Sequence, residues 1–272
     1  MIGKKEAFPF IVVFLLLMIS LAAFAADERS VDQQIKESSV KFVLIGTAIL
    51  CVLICIALMY KNNSNASKIL IFGAITVVIL ATSVYVAAST IYLNSISPSK
   101  GPVHWHADFE IWKCGQKLDM INPSGMSSLV GTSTLHEHGD DRIHLEGVPV
   151  KPDDASIGKF FKVIGGKLIP GALILPVNGD IESMRDGDMC NGAPAELQVF
   201  VYRVSNPDDT KKWKYTQTKL NSKDVPGYVI SPHTGIPPGD CIIIEFGPSE
   251  GHTAHICETY KIAISKGDLN GG

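Results

Sequence analysis

Five of the eight histidines fall in two compact blocks. His104-Trp105-His106 forms the first. His136-Glu137-His138, followed six residues later by His144, forms the second. A neutral imidazole offers a nitrogen lone pair that suits Zn, Cu, Fe or Ni, whereas Mg and Ca prefer oxygen ligands. In an extended chain, residues i and i+2 point to the same face, so each His-x-His pair presents two imidazoles side by side. Two such strands near one another would bring four imidazoles together, with His144 as a fifth. A set of three or four His without Cys fits Zn or Cu(II) best in an oxidising compartment. Asp108 and Glu110 continue the face of His104 and His106, and Asp140, Asp141 and Glu146 lie near the second block. A carboxylate can itself ligate, or it can orient an imidazole through the second ring nitrogen. A lone His is more often a surface or core residue. His233, His252 and His255, in Pro/Gly-rich stretches, are at most accessory ligands.

These residues need strands to hold them. Residues 104–112 alternate strictly between polar and apolar, or small and large, which is the period of a strand. Gly115 supplies a turn, and 117–121 can pair back as a hairpin before the Asn-Pro-Ser-Gly loop at 122–125. Further strands are expected over 142–146, 173–177, 197–204, 213–220, 228–230, 241–246 and 256–264. A short helix is expected over 156–163, carrying Ile157, Phe160 and Phe161. Many short strands separated by Gly/Pro turns suggest a sandwich or barrel-like fold.

Charge and hydropathy divide the chain. Residues 1–100 hold 8 Lys/Arg and 5 Asp/Glu, and the remainder holds 16 and 22 together with every His. An acidic domain with no basic stripe is a poor polyanion binder. With no GxxxxGK[ST] and no GxGxxG, neither nucleic-acid binding nor nucleotide chemistry is expected. The front of the chain is apolar. Lys4 and Lys5 precede an apolar run that ends Ala23-Phe24-Ala25, so 1–25 reads as a signal peptide cleaved after Ala25, or alternatively as a third transmembrane helix. Residues 42–60 and 69–93 carry no charge and are long enough to span a bilayer as helices. Between them, 61–68 holds two Lys and no acid, which places that loop in the cytoplasm and everything after 93 outside it. The absence of charge in both spans argues against ion transport, and the helices read as an anchor or as a surface for partner membrane subunits. Cys51 and Cys55, at i and i+4 within the first span, read as small apolar residues. The organisation expected is therefore an N-terminal signal segment plus two transmembrane helices, a linker at 94–101, a β-rich extracytoplasmic domain (all-β or α+β) at 102–266, and a tail at 267–272.

Four cysteines lie in that outer domain: Cys114, Cys190, Cys241 and Cys257. An extracytoplasmic compartment permits disulfides, and four Cys allow three connectivities. Strands on either side of the turn-rich 247–251 would set Cys241 opposite Cys257, which leaves Cys114 with Cys190. No CxxC occurs, which disfavours thioredoxin-like redox or haem-attachment roles.

The strings HWHADFEIWKCG, LHEHGDDRIHLEG, GKFFKVIGG and LILPVNG…MRDGD, over roughly 102–190, resemble uncharacterised prokaryotic membrane-anchored outer domains. That resemblance implies a shared fold and brings no activity. His104, His106 and Glu110 are similar in spacing to the first cupin motif, although Lys117 stands where that motif has its closing glycine. His136 to Asp140 resembles the HxH copper strand of copper–zinc superoxide dismutase, one residue short. Three readings follow for the five histidines. The first is a plasma-membrane-anchored module that captures, buffers or delivers Cu or Zn. The second is a structural subunit of a membrane or envelope complex with a His metal staple. The third is a His-ligated hydrolase or oxygen-chemistry enzyme with Glu110, Glu137 or Glu146 as general base.

Overall fold

The computed structural model describes residues 30–59, 64–119, 123, 128–177, 180–209 and 212–271. The expected signal segment lies outside the described residues, as does the end of the hairpin return at 120–121. The chain divides into two units, Met1–Leu93 and Asn94–Gly272.

The first unit holds α1 (Val31–Met59) and all but the last three residues of α2 (Asn65–Ile96), and both helices are longer than the uncharged runs at 42–60 and 69–93, of which residue 60 lies outside the described residues. Serines open both helices. The Ser30 hydroxyl accepts the Gln33 N–H, and the Ser64 hydroxyl accepts the Ser67 N–H, each satisfying an orphan donor of a first turn. Asp32 adds negative charge at the positive end of α1, so the charged residues 32–41 continue the helix instead of interrupting it. The two helices pack closely. Phe42 stacks on Tyr85 with ring centroids 4.3 Å apart, and a methyl group added at Gly46 would meet the Thr82 hydroxyl at 2.6 Å. Small residues permit such close helix approach. Leu44, Leu58, Ile69, Leu70 and Phe72 remain more than 60% exposed, so nothing among the described residues covers these apolar surfaces. By length and apolar composition both helices are able to cross a membrane.

The second unit is a strand-rich mixed domain. In chain order its first strands are β1 (Val103–Lys113), β2 (Gln116–Lys117), β3 (Val130–Gly131), β4 (Leu135–Glu137) and β5 (Arg142–Gly147). The short helix α3 (Ile157–Val163) follows, then β6 (Lys167–Ile169), β7 (Ala172–Val177), β8 (Asp180–Arg185), β9 (Met189–Cys190) and β10 (Ala193–Pro194). The chain closes with β11 (Glu196–Val204), β12 (Trp213–Lys219), β13 (Asp240–Gly247), α4 (Glu258–Lys266) and β14 (Leu269–Gly271). The main sheet runs β14-β12-β11-β13-β1-β5-β4-β3, with β2 folded back on β1 through a turn at Cys114 and Gly115, both at positive φ. Its pairs are antiparallel except β1/β13 and β12/β14.

One face of this sheet carries the larger core. Phe109, Ile111, Leu135, Ile143 and Leu145 pack against α3 and against the small β6-β7-β8 sheet through Phe160, Phe161, Leu173, Leu175 and Met184. On the other face, Phe200, Tyr202, Cys241 and Ile243 are covered by Tyr260 and Ala263 of α4 and by Leu269. The continuous Cys241-Ile242-Ile243-Ile244 run of β13 is buried because this strand is covered on both faces.

Four expectations are corrected. The domain is not a sandwich or barrel; it is a mixed sheet with an apolar layer on each face. Residues 256–264 form most of α4 and not a strand. Their Ile and Thr content favours a strand, but Cys257, Tyr260 and Ala263 recur every three residues and bury one helical face, and Gly267 at φ 76° closes that helix. Residues 228–230 make only an isolated bridge from Val229 to Ser156. Residues 269–271, read as tail, add the edge strand β14 beside β12.

The structure pairs Cys114 with Cys190 and Cys241 with Cys257. The second pair does not join facing strands as argued from the turn at 247–251. Cys257 stands at the N-terminus of α4, where its N–H reaches the Cys241 sulfur at 3.0 Å, so this bridge ties α4 to β13. With a sequence separation of 16, closing this loop is worth about 3 kcal/mol by chain entropy. The double variant C241A/C257A is expected to lose about that much unfolding free energy in a denaturant titration. An unchanged midpoint and slope would show that α4 docks without the bridge.

Candidate metal centre

The histidines are brought together by strand register. In the β1/β5 ladder His106 stands opposite His144, His104 opposite Glu146 and Asp108 opposite Arg142. In the β5/β4 ladder His136 stands opposite the same His144. Directly opposed residues share a face with Cβ atoms about 5 Å apart, so His106, His144 and His136 form a row across three strands. His104 lies one step from this row toward the Glu146 level. His138, two residues beyond His136, lies one step the other way. The two His-x-His segments lie near one another with β5 between them, and His144 is the centre of the array instead of the addition to it that the sequence suggests.

Ligand nitrogens converge in two sets of three. Those of His104, His106 and His144 lie within 4.8 Å of one another, and so do those of His136, His138 and His144. The Nε2 atoms of His104 and His106 are 2.9 Å apart. Ring centroids of His106 and His138 lie 4.9 and 4.8 Å from that of His144, edge to face, and the His136 ring lies parallel to it at 5.5 Å.

The ring orientations are set from behind. His106 Nδ1–H donates to the Thr234 carbonyl at 2.9 Å, His136 Nδ1–H to Thr132 at 3.1 Å, and His138 Nδ1–H to Ser128 at 2.5 Å. A carbonyl only accepts, so each neutral ring carries its proton on Nδ1 and its lone pair on Nε2. Metal-ligating imidazoles are commonly oriented by this arrangement. His144 is held by the opposite nitrogen: its Nε2–H faces the Asp140 carboxylate at 3.3 Å, while its buried Nδ1 has no hydrogen-bond partner among the described residues. Glu146 lies 3.0 Å from His104 Nε2.

Burial, ahead of every other cause, holds His106, His136 and His144 below the ordinary histidine range. Neighbouring imidazoles push in the same direction. Thr234 and Asp108 oppose the shift at His106, Thr132 and Glu146 oppose it at His136, and Asp140 opposes it at His144. Low pKa values keep these rings neutral near pH 7, the form a metal requires.

The loop that presents Thr234 is itself pinned. The carboxylate of Asp240, 1% exposed, accepts bonds from Arg203, from the Tyr228 hydroxyl at 2.8 Å and from the Ser231 N–H at 2.9 Å and hydroxyl. Gly239 closes the loop onto β1, where a Cβ would meet the His106 carbonyl at 2.5 Å. On the other side, Gly131 at φ 119° and the Thr132 hydroxyl, which accepts the Leu135 N–H at 3.1 Å, shape the turn that aims the Thr132 carbonyl at His136.

Most of the flanking carboxylates have other partners. Asp108 pairs with Arg142 at 2.7 Å and accepts from Thr259. Glu110 accepts from Trp112 Nε1 at 3.0 Å and from Lys117 at 3.3 Å, and Lys117 also holds Asp141 at 2.8 Å. Glu137 sits between two histidines in sequence, yet strand alternation turns it to the opposite, core-facing side, where burial raises its pKa. Only Asp140 and Glu146 of the expected carboxylates touch an imidazole. None of the three remaining histidines joins either set. His233 contributes its carbonyl to the His106 N–H, His255 stacks on Trp112 with centroids 3.6 Å apart, and His252 is exposed. The carbonyls of Thr132, Ser128 and Thr234 could not be found from sequence, because a backbone acceptor leaves no side-chain signature.

Searches of protein-family models, curated proteins and solved structures find no match to this chain. What fold and site define by themselves is a class: a protein with two long apolar helices and a disulfide-linked mixed-sheet domain bearing a five-histidine array. The cupin-like spacing ends in Glu110, which lies outside both histidine sets.

The lowered histidine values predict a pH dependence of the metal-free fold. Below the unfolded value of 6.5 the unfolded chain takes up protons that folded His106, His136 and His144 refuse, so stability falls as pH drops through that window. Glu137, raised above 4.5, acts in the reverse sense: its contribution is present below that value and lost as pH rises through its folded pKa. Urea melts with chelator present are expected to show a plateau above pH 7 and a decline from 6.5 downward. A fold that gains stability between pH 7 and 6 would contradict neutral, buried imidazoles.

Proposed function

We propose that the outer domain is a binding module for a late first-row metal ion, Cu(II) or Zn(II), anchored at the plasma membrane by α1 and α2 and facing away from the cytoplasm. Its task is capture, buffering or delivery of that ion. The observation that carries this reading is the convergence of five imidazoles, three of them with Nδ1 already committed to backbone carbonyls and Nε2 left for an ion. An all-nitrogen set of this kind suits Cu(II) and Zn over Mg or Ca. The two disulfides accord with an oxidising compartment. Positive-inside logic supplies the topology, since the loop between the helices is the basic one.

A structural role for the same ion has one specific observation in its favour. β4 has only three residues, and an ion on His136, His138 and His144 would tie it to β5. Binding to the folded state alone adds about 2.7 kcal/mol at a hundredfold excess over Kd, so a staple and a delivery module both raise Tm. They differ in exchange: a delivery module surrenders its ion to a competing chelator within minutes while the fold persists.

Titration of the full chain in detergent tests the proposal. Cu(II) or Zn(II) is expected to bind tighter than about 10 μM, equivalent to roughly 7 kcal/mol, and the affinity is expected to weaken as pH falls through the histidine range. Binding weaker than that for both ions would remove the reading.

A further inference from the structure

The array is wider than one coordination sphere. Its central row crosses three strands, and its five ligand nitrogens fall into two sets, not one. His144 belongs to both. A neutral imidazole has one lone pair at a time, and the Nε2–H···Asp140 contact leaves that of His144 on Nδ1, which has no partner among the described residues. Filling both sets together would demand a second lone pair from the same ring. Each set nonetheless has its own support: His104 and Glu146 at one end, the Thr132 and Ser128 carbonyls at the other.

The geometry points to a two-position site for a single ion, in which an ion held by His104, His106 and His144 and an ion held by His136, His138 and His144 are mutually exclusive states linked by the shared ring. This rests on the metal-binding reading above and adds how the ion moves. Passage from one position to the other exchanges two imidazoles for two others while His144 remains a ligand, so no intermediate has to release the metal to water. Each set reaches the surface through one exposed imidazole, His104 in the first and His138 in the second, and both share the buried His144. Such a device suits an ion taken in at one end and passed to the other. Its balance is simple: no electron moves, and the two imidazoles released at one position are replaced by two at the other.

The test uses Cu(II) with the full chain in detergent, reading stoichiometry by equilibrium dialysis and environment by electron paramagnetic resonance. The parent is expected to bind one ion and, at half an equivalent, to give two superposed signals. H104A/H106A and H136A/H138A are each expected to retain one ion within about tenfold of the parent affinity, each showing only one of the two signals. H144A is expected to lose both signals, with affinity reduced more than tenfold. Two ions bound together by the parent would overturn the proposal in favour of a bridged pair. A single signal in the parent, with all binding lost in either double variant, would overturn it in favour of one five-histidine site. The parent measurement requires no variant to fold. If the parent binds no Cu(II) and no Zn(II), the metal-binding reading itself fails, and this inference with it.

Discussion

The register of β1, β5 and β4 is the constraint on which the rest of the domain depends. Side chains alternate along a strand, so a slip of one residue would turn a histidine face into a core face and carry Phe109, Ile143 and Leu145 into solvent. The apolar residues therefore enforce the histidine geometry. Ala107, Phe109 and Ile111 lock one side of β1 into the core, and His104, His106 and Asp108 are left on the other side in fixed steps. The same argument holds on β5, where Ile143 and Leu145 flank His144. The site needs no separate device to assemble it. Burial of the larger core by itself places three imidazoles in a row.

Around this row, the domain spends polar interactions on orientation. Asp240 is the clearest case. A carboxylate with almost no exposure is costly unless fully bonded, and here Arg203, Tyr228 and Ser231 complete it. The result is a loop held against β1 with the Thr234 carbonyl at the back of His106. Tyr260 from α4 donates to the Gly239 carbonyl at 2.6 Å, so the helix stapled by Cys241–Cys257 also steadies that loop. Sheet, helix and disulfide act on one imidazole through a chain of contacts.

The legible part of the protein was the part written in side-chain period and type. The uncharged runs within α1 and α2, the alternating β1, the helix carrying Phe160 and Phe161, and the membership of the histidine array could all be read from residues. Strand order could not. Nothing in the sequence says that the strand bearing His144 lies between the two His-x-His strands, because non-local pairing is decided by the whole core. α4 is hard to read because its Ile and Thr residues favour a strand while its burial follows a helical period, and packing of Tyr260 and Ala263 decides the outcome. The turn-rich stretch at 247–251 suggests a hairpin for Cys241 and Cys257, but the bridge joins a helix start to a strand, a contact that local turn chemistry does not reveal. Which flanking carboxylates reach an imidazole is not legible either, because charge type is visible in a sequence and partner choice is not: Arg142 and Lys117 take Asp108, Glu110 and Asp141 away from the imidazoles.

The central claim is that this face of the sheet is an imidazole site for a metal. X-ray absorption on the zinc-loaded full chain tests it most directly. The account predicts nitrogen neighbours at about 2.0 Å with the outer-shell scattering of at least three imidazoles, and no sulfur at about 2.3 Å. An oxygen-only shell without imidazole scattering, or a sulfur shell, would contradict it.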